Sequence, residues 1–171
     1  EHFYADLATH HLRNARFREV VEVVDRAVQQ PIRDPGLLLL IQQRALLGTQ
    51  QPDKIEPKLR EAIRRFPERE ADLLLNWAII LEEQLNDHDQ AEKVMVDVLN
   101  KHPDHAPTNN SLGYMWADRD KHLDRAEHMI KRAVAAEPHN PAYLDSLGWV
   151  YYKRGQFPKA VEQLSKATME S

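Results

Sequence analysis

A punctuation mark that recurs along the chain limits what it can fold into. Leu147-Gly148 is matched 35 residues upstream by Leu112-Gly113, and Pro67, Pro103 and Pro138 stand 36 and 35 residues apart. Between these marks, Ala126/Ile130/Ala133 and Ala160/Leu164/Ala167 recur at i, i+4 and i+7, a single stripe on a helix of 3.6 residues per turn. A unit of this length holds two helices and a turn. Each such hairpin has an apolar face that it cannot bury alone, so neighbouring units must stack.

The spacing predicts ten antiparallel helices, over roughly 2–14, 17–30, 36–48, 54–66, 70–85, 89–101, 106–119, 123–136, 141–154 and 157–169. Pro67, Pro103, Pro107, Pro138 and Pro141 fall between the periodic stretches, where they stop one helix or open the next. Pro158 sits near a helix start, where its missing N–H costs nothing. Pro57 falls inside the fourth helix, which is therefore expected to begin late or irregularly, with Asp53 and Glu56 as a capping box. Small Ala on the stripes lets paired backbones approach, while Leu, Trp and Tyr fill the space between them.

Composition agrees with helix and removes several chemistries. Glycine is scarce, 5 of 171 residues, against an average near 7%. The absence of cysteine excludes disulfides, thiolate catalysis and Cys-ligated metals. It does not assign a compartment. The formal net charge of −4 lacks the electrostatic footprint of a duplex-binding protein. No segment approaches the roughly 18 consecutive apolar residues of a membrane span; no unbroken apolar run, Leu37–Ile41 included, exceeds five residues. The chain begins with Glu1 rather than Met, as a trimmed or processed product does, which leaves both the cytoplasm and the bacterial envelope open as its compartment.

The pattern resembles the tetratricopeptide (TPR) repeat, which is written over 34 residues with Leu-Gly, Tyr, Ala and a closing Pro at fixed places. The fifth copy matches with Leu147-Gly148, Tyr151, Gly155, Phe157, Ala160, Leu164 and Ala167. The fourth has Leu112-Gly113, Trp116, Ala126, Ala133 and Pro138, with one extra residue in the turn around Arg119–His122. Weaker copies carry Leu74, Trp77-Ala78, Leu81, Ala91, Met95, Val98 and Pro103, then Leu38, Ile41, Ala45, Ile55, Leu59, Ala62 and Pro67. The first reads Tyr4, Leu7-Ala8, Phe17, Val20, Val24 and Ala27, with Pro31 one place early. The resemblance implies an all-α, right-handed superhelical solenoid of about five hairpins. It makes 1–171 a single array, with repeats near 1–34, 35–69, 70–105, 106–140 and 141–171. Because the fifth copy stops before its closing Pro and before any capping helix, the expectation is a piece of a longer protein.

No catalytic or metal site emerges. His102-Pro103-Asp104-His105 places two imidazoles around a proline in an inter-repeat turn, a poor start for tetrahedral zinc. Ser111 and Ser146 each precede the Leu of a Leu-Gly pair and lack a nucleophile elbow. Glu82-Glu83 are neighbours whose side chains diverge by about 100° on a helix. There is no Gly-rich phosphate loop. Basic clusters at Arg13/Arg16/Arg18, Arg60/Arg64/Arg65 and Lys131/Arg132 are interleaved with acids, as on a solvated helix face. The expectation is a non-enzyme without cofactor, metal or nucleic-acid partner.

The resemblance implies that the first helix of each repeat lines a concave groove through positions five and nine. Those positions are Ala5 and Thr9, Leu39 and Gln43, Leu75 and Ile79, Asn110 and Tyr114, and Asp145 and Trp149; position twelve adds Glu82 and Tyr152. This lining is apolar and aromatic, with Gln43, Asn110 and Asp145 as polar handles. It lacks the Lys/Asn/Arg set with which chaperone-binding repeats hold a C-terminal carboxylate. The expected role is a scaffold that takes a protein or peptide segment in this groove, anchored by Tyr114, Trp149 and Tyr152. The alternative is a structural or self-associating arm of a larger protein. Pro141–Tyr152, with Leu112-Gly113-Tyr114 and Ala117-Asp118-Arg119, resembles the repeats of bacterial TPR proteins, some of which are envelope adaptors.

Overall fold

Apart from two short 3-10 turns, every regular element among the described residues is an α-helix; the computed structural model describes residues 2–32 and 34–170. The helices are α1 (His2–Arg13), α2 (Phe17–Ala27), α3 (Gly36–Gly48), α4 (Ile55–Arg65), α5 (Glu70–Glu83), α6 (His88–Lys101), α7 (Ala106–Asp118), α8 (Leu123–Ala136), α9 (Pro141–Lys153) and α10 (Phe157–Glu170). These are the ten helices that the spacing predicts, with small shifts at their ends. α2 stops three residues short, because Gln30 precedes Pro31 and is pushed out of the helical region.

The fourth helix corrects the sequence reading in detail. A 3-10 turn, Pro52–Lys54, leads into α4, so Pro57 falls in the first turn, where a missing N–H is tolerated. The expected capping box does not form: the N-cap is Lys54, and no side chain caps the helix. Side-chain caps close α6 and α9. Asp87 accepts from the Gln90 amide, and Asn140 from the amides of Ala142 and Tyr143.

The chain divides into two units, the first ending at Ile80 and the second beginning at Leu81. In the first, α1 packs on α2 and α3, and α3 packs on α4. Val20, Val23, Val24 and Ala27 of α2 are buried beside Ala8, Leu38, Ile41 and Ala45. Polar bridges tie these helices: Lys58 and Gln42 both reach Asp25, while Gln43 donates to the Leu73 carbonyl and accepts from Asn76. In the second unit, α7 packs on α6, α8 and α9, and α9 on α8 and α10. The buried Asn109 amide donates to the carbonyls of Pro103 and His105 and so closes the turn before α7.

Close approach sets the spacing within each hairpin of the second unit. A Cβ built on Gly113 would sit 2.7 Å from Ile130 Cγ1 and 3.0 Å from the Ala126 carbonyl. One built on Gly148 would sit 2.7 Å from Leu164. In both hairpins the buried aromatic three residues later carries a cation over its ring, Arg125 over Trp116 and Lys159 over Tyr151.

The turns repeat more faithfully than the sequence does. The hairpin turns place Ala15, Gln50, Asn86, Asp120 and Gly155 in the left-handed region, with φ between 52° and 71°. Only the fifth has the glycine that this conformation favours. The fourth turn contains a second left-handed residue, His122 at φ 47°, which locates the extra residue of that copy.

The two glycines should respond differently to the same substitution. Ile130 has no exposed surface, whereas Leu164 is 39% exposed and can swing aside. Gly113→Ala is expected to cost about 1–2 kcal/mol after the helix-propensity gain, and Gly148→Ala to be within about 0.5 kcal/mol of neutral. Urea denaturation of both variants checks this.

Candidate functional site

Position along a helix decides which side chains remain open once the hairpins have packed. On α7 the open side carries Asn110, Tyr114 and Asp118, and on α9 it carries Asp145, Trp149, Tyr152 and Lys153. These are spaced by three or four residues, so each set forms one stripe. The stripes lie side by side, since α7 packs on α9. Tyr114 is 42% and Tyr152 51% exposed. Trp149 stacks on Tyr152 at 5.4 Å, and Tyr152 tilts against Phe157 at 5.8 Å. The result is an aromatic ledge that runs from α9 to the start of α10, with Tyr114 on the neighbouring α7.

Charge on this face is one-sided. Lys153 is neutralised: its ammonium donates to Asp120 at 2.9 Å and to the Asp118 carbonyl at 3.1 Å, and sits 5.6 Å from the Trp149 ring centre. Among the described residues neither the Asp118 nor the Asp145 carboxylate is paired with a cation. Burial, then Asp118 and Asp145, hold the Tyr114 phenol above the ordinary tyrosine range, because each disfavours a second negative charge there. Two polar atoms on this face are enclosed without a hydrogen-bond partner, Asn110 Oδ1 and Trp149 Nε1. Such orphans cost about 1–3 kcal/mol each.

The first unit has a separate cleft between α3 and α5, of about 330 Å³, lined by Leu37, Leu40, Leu73, Leu75, Asn76 and Ile79. Its polar rim is Arg69, held by Asp34 at 2.6 Å and Asp72 at 3.6 Å. Leu75 and Ile79 stand where the sequence mapping puts them, on this cleft, although Leu75 is largely buried. Leu39 and Gln43 do not. Both are buried, Leu39 toward α2 and α4, and Gln43 in its bridge to α5. The open side of α3 carries Leu37, Leu40, Arg44 and Leu47 instead. The reason is one of register: α3 starts at Gly36, as the spacing predicts, where Asp34 Oδ1 accepts from the Gly36 amide, so groove positions counted from 35 fall one residue early. Sequence reasoning missed Leu37, Leu40 and Asp118; counting repeat positions from Gly36 instead of 35 puts position five on Leu40, with Leu37 one turn before it.

Among the described residues no group of three or more His, Asp or Glu side chains could hold a metal ion. The His105 ring contacts Thr108 Oγ1 at 2.7 Å within its own turn. No described helix is long and apolar enough to cross a membrane.

The Tyr114 environment has a direct readout. Replacing Asp118 and Asp145 with Asn removes two negative charges, so the phenol should ionise at lower pH than in the wild-type chain, though burial keeps it above free tyrosine. Carbon-13 NMR of ring-labelled tyrosine, assigned with Tyr114→Phe, checks the direction.

Comparison with known proteins places these features. The tetratricopeptide repeat is matched by two family models, over residues 72–105 and 118–169. A TPR repeat-containing protein of Pseudomonas aeruginosa, PA4667, is 34% identical over 157 residues, which is 91% of this chain and 26% of that protein. The chain thus spans about a quarter of that relative's length. Among solved structures it is similar to BtubC from P. vanneervenii, with a TM-score of 0.69 at 22% identity, covering 98% of this chain and 78% of that one. It is also similar to PilW, described as a widely conserved type IV pilus biogenesis factor, with a TM-score of 0.67 at 21% identity over 99% and 76% of the two chains. The periodic turns, the close-packed hairpins and these matches lead to one conclusion: the chain belongs to the tetratricopeptide repeat family, in its bacterial form.

Proposed function

We propose that the chain is an interaction scaffold that seats an apolar segment of a partner protein on the α7–α9 face of its second unit, with the α3–α5 cleft as a second apolar contact. TPR repeats serve generally as protein- and peptide-binding modules, and no catalytic role is part of this reading. The observation that carries it is the pair of exposed rings Tyr114 and Tyr152 on two adjacent helices, with the half-buried Trp149 stacked on Tyr152. Aromatic anchors are where binding energy concentrates, because they bury much area at little rotational cost. In the α3–α5 cleft, Leu37, Leu40 and Ile79 offer a socket for a single aliphatic side chain.

A second reading rests on α10. Phe157, Val161 and Leu164 form one stripe there, 57%, 64% and 39% exposed. The positions 34 residues earlier on α8 are Leu123, Glu127 and Ile130, and α9 packs on that helix. The α10 stripe has the same layout with an open side, which suits self-association or a structural arm.

Affinity capture with paired variants separates the readings. A partner retained by the wild-type chain should be lost with Tyr114→Ala/Trp149→Ala, each change weakening binding about thirty-fold, or about 2 kcal/mol. The same partner should be retained by Val161→Asp. Loss with Val161→Asp alone, together with a concentration-dependent sedimentation coefficient that this variant abolishes, favours the second reading.

A further inference from the structure

Resting on the α7–α9 binding face proposed above, we propose that this face selects an arginine-bearing partner segment, the guanidinium lying over Tyr114 between the carboxylates of Asp118 and Asp145, with flanking apolar side chains on the Trp149–Tyr152 ledge.

The argument is charge complementarity on an aromatic floor. Asp118 lies one turn beyond Tyr114 on α7, and Asp145 acts on the same phenol from α9. Both carboxylates lack a cationic partner among the described residues, while the one cation of these stripes, Lys153, is already bound by Asp120 and the Asp118 carbonyl. The face therefore carries about two uncompensated negative charges beside an open ring. A cation over an aromatic face and within reach of carboxylates is stabilised by both, and the attraction grows as the partner excludes water. Arginine fits better than lysine, because its planar guanidinium stacks on a ring while its edge N–H groups reach carboxylates. An acidic segment is repelled by the same two groups. The α3–α5 cleft of the first unit offers no such bias, since Asp34 and Asp72 there already hold Arg69.

The test uses fluorescein-labelled peptides of about a dozen residues that alternate Leu with Arg, Gln or Glu, titrated by anisotropy against the 171-residue chain at about 50 mM salt. The Leu/Arg peptide is expected to bind at least about tenfold tighter than Leu/Gln, and Leu/Glu weakest. Asp118→Asn/Asp145→Asn should erase the Arg preference. A charge-matched control on exposed positions of α2, Glu19→Gln/Glu22→Gln, should keep it. If the control erases the preference equally, bulk charge explains it and the inference is overturned. If Leu/Gln binds as tightly as Leu/Arg but is lost with Trp149→Ala, the face binds segments without selecting arginine, and only this inference fails. If no peptide responds to Tyr114→Ala or Trp149→Ala, the binding face itself is overturned as well.

Discussion

The distance between the two helices of a hairpin governs everything outward of it. Where α7 meets α8, one added carbon on Gly113 would lie 2.7 Å from Ile130, so the backbones already stand as near as side chains permit. That approach forces small residues onto the facing stripes, and Ala126, Ala133, Ala160 and Ala167 occupy them, all buried. It also fixes helix rotation. Once Gly113 faces α8, Tyr114 lies about 100° round the helix from that contact, and Gly148 sets Trp149 in the same manner. The open face is the geometric remainder of the packing.

This coupling explains which parts could be read in the sequence. Copies four and five carry Leu-Gly at the close approach, so the register of Asn110, Tyr114, Asp145 and Trp149 followed from two residues each. Copy two has no such mark. Its α3 has buried Gln42 and Gln43 where a Leu-Gly pair is sought, so no local mark shows which of its residues face inward. The mapped Leu39 and Gln43 accordingly lie inside. The turns were hidden for a different reason. A left-handed residue usually advertises itself as glycine, yet Ala15, Gln50 and Asn86 adopt that conformation under the constraint of the packed helices on either side. The charge of the α7–α9 face was illegible too. It depends on Lys153 being consumed by Asp120, a pairing across 33 residues that no local pattern encodes.

Packed and open positions thus fall to different residues of the same helix. On α9, Leu144, Leu147, Val150 and Tyr151 are buried and hold the hairpin together, while Asp145, Trp149 and Tyr152 project from the other side. Changes to the second set should leave the fold intact, because their removal opens no cavity in the core. Such separation lets one fold carry many specificities, since a repeat can keep its packing stripe and vary its open one.

The most direct measurement of this claim is site-specific photocrosslinking in intact cells, with p-benzoylphenylalanine placed at position 114 on the α7–α9 face or at position 161 on α10. If the aromatic and acidic face is where a partner segment sits, position 114 should yield a discrete crosslinked product that Trp149→Ala diminishes. Crosslinks confined to position 161, with none at 114, would contradict the account and move the interaction to the α10 stripe.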